Sequence, residues 1–215
     1  MRDQGLLKDL IHIYLVFLSS MMMTVSDLVV RCRSYRRFDA GHAVDMGTLR
    51  DLVDLARLSA SGANLQPMRY VLVTDADLRE SLFSHLRWAG YLPGWDGPEE
   101  GERPTAYIVM LSDGPLGPLS GYDPGIAAQN LLLGAVERGL GGCILGSIDR
   151  EGIRRALEIP GRYDILLVIA LGRPVERVVV EEIIPDGDVR YWRDGAGVHH
   201  VPKRRLEDVI VAEHG

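Results

Sequence analysis

"RLSASGANLQPMRYVLV", residues 57–73, passes from a helical pattern to a strand through a joint that carries more chemistry than a connection needs. Upstream, "DMGTLRDLVDLARL" places Leu49, Leu52, Val53 and Ala56 at i, i+3, i+4 and i+7, the spacing of a helix that buries one face. Downstream of Pro67, "RYVLVT" is rich in β-branched and aromatic residues and reads as a buried strand. The joint itself, "SASGANLQP", holds two hydroxyls, a glycine and the carboxamides of Asn64 and Gln66. Each carboxamide offers two donor hydrogens and an acceptor, so the pair can read a flat heterocycle with alternating N–H, N and C=O groups. The plainer alternative has Asn64 tolerating a left-handed turn and Gln66 facing water.

Outward from this joint the chain alternates helices and strands, without internal repeats or low-complexity tracts. On the amino-terminal side, Ser26 is expected to cap a short helix, "DLVVRCRS", that ends in the basic "RSYRRF" of residues 33–38. On the other side, residues 77–89 read as a helix, and "GYLPGWDGPEEGERP" is a long Gly- and Pro-rich loop expected on the surface or over a site. "TAYIVMLS" returns as a buried strand. Asp123 at the N-cap and Pro124 at the first helical position are expected to open the longest helix, whose apolar residues lie nearly all round. Asp149 caps "REGIRRALEI", and "YDILLVIALG" is a continuous apolar strand of a sheet interior. The tail, "VRYWRDGAGVHHVPKRRLEDVI", reads as a hairpin followed by a short helix.

The 215 residues, 47% hydrophobic, suffice for one domain with a sizeable core. Residues 26–215 are assigned to that domain and residues 1–25 to an amino-terminal extension. In the extension, "LIHIYLVFL" is too short to span a membrane as a helix. An upstream start with the true one near Met21 to Met23, a docking segment and a poor signal peptide stand as readings, the first two preferred. Cys32 and Cys143 lack metal-ligand or CxxC spacing, which suits a reduced, cytoplasmic protein with small buried thiols. A formal charge of −6 argues against a general nucleic-acid or anionic-membrane surface.

Several catalytic patterns are absent. "GLGGCILG" follows a helix and lacks G-x-G-x-x-G spacing, so no Rossmann loop is expected, and there is no P-loop or G-x-S-x-G elbow. His199 and His200 are adjacent in an expected strand and point to opposite faces, so no metal site is expected. Two cationic groups remain: Arg33, Ser34 and Arg36 near one end, and Lys203 and Arg205 some 170 residues later. In an acidic chain two such groups suit a phosphomonoester, although either alone is also what a solvated basic face looks like. Together with the amides, they describe a ligand with phosphate at one end and a flat heterocycle at the other, as in flavin mononucleotide (FMN).

The pieces "RSYRRF", "LARLSASGANLQPMRYVLV", "DPGIAAQNLLLGAVERGLGGCILGSID", "ALEIP", "VIALGRP" and "VPKRRLED", in this order, resemble the nitroreductase family, FMN-dependent oxidoreductases related to flavin reductases. The resemblance spans about residues 26–210. It implies an α+β fold, a mainly antiparallel sheet flanked by helices, with a C-terminal arm exchanged in a homodimer that holds FMN at the subunit interface. It places Arg33, Ser34 and Arg36 on the FMN phosphate and ribityl chain, and Asn64 and Gln66 near the isoalloxazine and ribityl groups. It brings the backbone of Leu145 and Gly146 to the reactive flavin edge and sets Lys203 and Arg205 as a distal phosphate clamp. The clearest departure is Cys32, where many relatives carry another arginine. The implied reaction moves two electrons from NADH or NADPH to an electron-poor acceptor, a nitroaromatic or quinone, in a ping-pong cycle that needs no catalytic side chain. A flavin-binding sensor or carrier, and a flavin-fragmenting or dehalogenating enzyme on the same scaffold, are the alternatives. Trp88, Tyr91 and Trp95 can either face the acceptor or pack.

Overall fold

The computed structural model of the chain describes residues 23–184 and 186–215. The apolar run at residues 10–18, with the readings attached to it, lies outside the described residues.

Strands β2 (Ala106–Asp113) and β4 (Tyr163–Gly172) form the centre of a sheet whose edges are β1 (Met68–Val73) and β3 (Gly141–Leu145). The order is β1-β2-β4-β3 and every pairing is antiparallel. Both central strands read as continuous apolar runs because both sheet faces are covered. On one face Ile108, Met110, Ile169 and Leu171 pack with Leu49 and Leu52 of α2 (Met46–Arg57) and with Ala128 and Leu131 of α4 (Asp123–Glu137). On the other, Tyr107, Val109, Val168 and Ala170 meet Leu82 of α3 (Ala76–Ser84), Ile153 of α5 (Arg150–Ala156) and Trp88. Met110 pairs with Leu167 and Leu111 with Ile165, so Leu166 is the extra residue of a β-bulge.

The expected element ends shift by a few residues for local reasons. The first helix, α1 (Val25–Arg31), is capped by Thr24 rather than Ser26, since Thr24 and Asp27 form a reciprocal capping box. Asp123 is the first residue of α4 and not its N-cap, because its carboxylate serves a different segment, described below. The helix expected over 77–89 stops at Ser84, after which Leu86 bridges to Ile148. The helix α5 ends at Ala156, two residues before the left-handed Glu158 (φ 52°).

A second, smaller sheet carries the C-terminal cations. The expected hairpin and short helix are present as β6 (Trp192–Arg193), β7 (His199–Arg204) and α6 (Leu206–Val209). An additional strand, β5 (Val178–Ile183), pairs parallel to β7. Phe38 bridges to Pro174, and Asp39 N–H donates to the Arg173 carbonyl at 2.8 Å, which ties residues 33–39 to the strand leading into this sheet.

Candidate active site

The site begins where the chain leaves α1 and runs along β3. Ser34 forms a parallel bridge with Gly142, and Tyr35 N–H donates to the Gly142 carbonyl at 3.0 Å. A Cβ on Gly141 would lie 2.5 Å from Tyr35 Cδ2, so only glycine allows this approach. The glycines of "GLGGC" are therefore a platform for the 33–36 segment. The amides of Arg36 and Arg37 then donate to Oε1 of Glu176, whose Oε2 accepts from Arg193 at 3.0 Å. The Glu176 side chain is fully buried.

The two cationic groups meet here. Arg33, Ser34 and Arg36 line a cavity of about 280 Å³ together with Lys203, and its wall is completed in part by Tyr191 and His199. Among the described residues, no carboxylate lines it. Arg36 is buried; its Nη1 donates to the Ser34 carbonyl at 3.2 Å and contacts His199 Nε2 at 3.1 Å. Its guanidinium lies 4.7 Å from the centre of the Tyr191 ring. Burial, with Arg36 and Arg193 close by, pushes His199 down to about 4, so its ring is neutral near neutral pH. Because Arg36 can only donate, Nε2 must accept and Nδ1 must carry the proton. That Nδ1, Arg33 Nε and Arg36 Nε are all buried without a hydrogen-bond partner among the described residues. Unpaired buried donors around a cavity free of acids are what an anionic group would satisfy, so these residues fit a phosphate.

Arg205 stands apart. Its guanidinium pairs with Asp208 at 3.1 Å, and it does not line the cavity that Lys203 lines. Cys32 does line it, with burial raising its thiol and Gln129 donating to its sulfur at 3.6 Å. The Gly/Pro-rich loop braces the cavity from outside. Tyr91 packs on Tyr191 with ring centres 5.1 Å apart, and Trp95 lies under Arg193 at 4.7 Å. Trp88 is buried in the core against Phe83.

The amide joint lies at a different place. Ala63, Asn64 and Gln66 all have left-handed backbone (φ 48°, 56° and 50°), a costly set for residues with side chains. Asp123 holds them there: its carboxylate accepts from Ser61 Oγ at 2.6 Å and Gly62 N–H at 3.0 Å, and Ser61 Oγ accepts from Gln66 N–H at 2.9 Å. A Cβ on Gly62 would sit 1.5 Å from the Leu119 carbonyl oxygen, so glycine is obligatory at this position. Asn64 thus has the left-handed turn of the plainer alternative, while among the described residues its carboxamide has no hydrogen-bond partner. Both amides are exposed. Gln66 borders a second cavity of about 400 Å³, with apolar walls from Val53, Ala56, Met68 and Leu72. Tyr70, also lining it, has a buried hydroxyl without a partner and is pushed up to about 12 by burial. The two cavities share no lining residue.

Leu145 and Gly146 lie where β3 ends, Leu145 buried and Gly146 exposed. A Cβ on Gly146 would meet only Leu167 Cδ2, at an ordinary 3.6 Å, so nothing within the chain demands glycine. Sequence reasoning missed Glu176, Tyr191 and His199. One signal for His199 was present: positions 199, 201 and 203 share a face of β7, and all three line the cavity.

Comparison with known proteins agrees with this architecture. The sequence profile described as "Nitroreductase family" matches residues 29–91 and 122–173, together more than half of the chain. An oxygen-insensitive NADPH nitroreductase of Helicobacter acinonychis is 24% identical over 195 residues, covering 74% of this chain and 91% of the relative. Among solved structures, a nitroreductase family protein of Streptococcus pneumoniae superposes with a TM-score of 0.62 at 18% identity, covering 76% of this chain and 96% of the other. An FMN-dependent nitroreductase of Clostridium difficile gives 0.56 at 24% identity, covering 70% and 87%. With its antiparallel sheet between helical layers and its profile match across both halves of the domain, the chain belongs to the nitroreductase family.

Proposed function

We propose that this chain is an FMN-dependent oxidoreductase that transfers two electrons from NADH or NADPH to an electron-poor acceptor such as a nitroaromatic or quinone. The observation that carries the reading is the acid-free cavity in which Arg33, Arg36 and Lys203 converge from opposite ends of the chain around unpaired buried donors. Arg33, Ser34, Arg36 and Lys203 hold the phosphate, while Arg205, two residues beyond Lys203 and paired with Asp208, contributes less. When bound, FMN supplies the redox chemistry, accepting hydride from the nicotinamide and reducing the acceptor in alternating half-reactions. The chain's own work is to bind, orient and shield. From Gly142, beside the phosphate segment, to Gly146 is four residues of strand, about 13 Å at ~3.3 Å each. This suits a ligand with its anion and its ring at opposite ends, with the Leu145 and Gly146 main chain beside the ring. No side chain serves as a nucleophile.

The working unit in this reading is a homodimer with one site per interface. Gln66 borders a cavity separate from the phosphate pocket and Asn64 lines neither, so a second copy is what delivers the two amides to the flavin. The apolar surface supports it: α1 buries none of its residues, and Val25, Val30, Ile126, Ile184 and Val211 are exposed. No helix among the described residues is long and apolar enough to cross a membrane, and a cytoplasmic location fits the two free thiols.

The visible spectrum of the protein, taken after incubation with FMN, tests the proposal. Flavin absorbance that bleaches under nitrogen on adding NADH or NADPH, and returns with a nitroaromatic or quinone, is the expected result. Protein that gains no flavin absorbance refutes it. Flavin that binds without bleaching points to the sensor or carrier alternative.

A further inference from the structure

His199 is 1% exposed, and each of its ring nitrogens has a distinct situation. Nε2 receives Arg36 Nη1 at 3.1 Å, while Nδ1 is buried with no partner. The imidazole is wedged against Tyr191, with ring centres 5.2 Å apart, and Tyr191 in turn covers the Arg36 guanidinium. The groups around it that oppose a positive charge are Arg36 from the 33–36 segment, Arg193 from β6 and His200 from its own strand. A positive charge on the ring would therefore be opposed by these groups, and burial opposes it most. A buried N–H without a partner is costly, so a fold that keeps one on a residue lining this cavity has left it for an acceptor.

We propose that His199 is a positioning residue of the phosphate pocket, which fixes the Arg36 guanidinium through Nε2 and presents Nδ1–H to the bound phosphate. The inference rests on the flavin reading above. It makes this pocket a set of charged clamps plus one uncharged donor, which adds a directional hydrogen bond without adding to the repulsion among the cations. The Arg36 Nη1 edge, occupied by Ser34 and His199, is thereby taken out of service, leaving Nε and Nη2 for the anion.

Three measurements on the full chain test it. First, long-range 1H–15N spectra of the apoprotein at neutral pH should show His199 protonated at Nδ1 and bare at Nε2. A ring protonated at Nε2 would overturn the proposal. Second, FMN affinity by flavin fluorescence should fall about tenfold or more in His199→Phe, which keeps a ring but neither nitrogen, and return to within about threefold of wild type in His199→Gln, whose amide can both accept and donate. Third, riboflavin, which lacks the phosphate, should bind the Phe variant and the wild type alike. Equal FMN affinity in wild type and His199→Phe, or equal losses for FMN and riboflavin, would overturn the assignment. Failure of the flavin reading is distinguishable: there the wild type itself takes up no FMN, and the inference falls with it.

Discussion

Glu176→Gln tests whether the phosphate segment is held by one buried carboxylate. In the wild type, Oε1 accepts the main-chain N–H groups of Arg36 and Arg37, and Oε2 accepts from Arg193. The glutamine oxygen can keep the two main-chain bonds, but its NH2 then faces the Arg193 guanidinium, donor against donor. The loss is one charge-assisted hydrogen bond, about 1.5–3 kcal/mol. The Arg193 side chain is only 16% exposed and that of Glu176 is 0%, so an unpaired guanidinium pushes the cost toward the ~3–5 kcal/mol of a broken buried pair. We expect a loss of about 2–4 kcal/mol, or roughly 4–16 °C in Tm at about 2–4 °C per kcal/mol for a chain of this size. Glu102→Gln is the control: its pair with Arg37 has side chains 29% and 30% exposed, and the change should cost no more than about 1 kcal/mol. Urea melts of flavin-free protein at one fixed concentration measure both, since ligand and assembly shift apparent stability. An unchanged midpoint in Glu176→Gln, or an equal loss in Glu102→Gln, would refute the anchoring role.

Lys203→Ala should weaken FMN binding about tenfold or more, and Arg205→Ala by less because Asp208 engages its guanidinium; fluorescence titrations giving the reverse order would sink the cavity assignment. The adjacent histidines should give opposite pH slopes. His200, whose folded value is raised by hydrogen bonds to Glu181 and Asp194, contributes stability that is complete below about 6.5 and lost as pH rises through that raised value, a trend that His200→Gln should lack. His199, depressed to about 4, stays neutral while the unfolded ring takes up a proton, so stability falls as pH drops from about 6.5 to 4, and His199→Gln should flatten that fall. Melting temperatures across pH 4–9 read both, and parallel slopes would count against the assigned environments. Removing residues 186–215 takes away β6, β7 and α6 together; light scattering and flavin content should show loss of the proposed dimer and of its FMN, and a truncated chain retaining both would rule out the exchanged arm.

The elements that build the main sheet were legible because their signals are local: the spacing of Leu49, Leu52 and Ala56, and the unbroken apolar runs of β2 and β4. The convergence of Arg33 and Arg36 with Lys203 was legible only as a conjunction of two basic groups and an amide joint. Glu176 was illegible, since a buried acid in "RPVERVVV" has the same composition as a surface loop and its partners lie 140 residues upstream and 17 downstream. Strand β5 escaped for a related reason: its partner is β7, beyond the intervening β6, so no turn announces the pairing. Arg205 was read as an equal of Lys203, yet it caps α6, and Asp208 one turn on turns its guanidinium aside.

The contact between Arg36 and His199 spans 163 positions in the chain. At about 5–20 residues per second, synthesis leaves roughly 8–30 s between the appearance of the first residue and that of the second. During this interval the sheet core can already assemble, because β4 ends at Gly172, but the phosphate pocket cannot exist. If the proposed function holds, flavin loading waits for the last strand, and the ability to hold flavin certifies that this strand has docked. On the flavin reading, a chain that ends between β4 and β7 would hold its central sheet and yet be colourless.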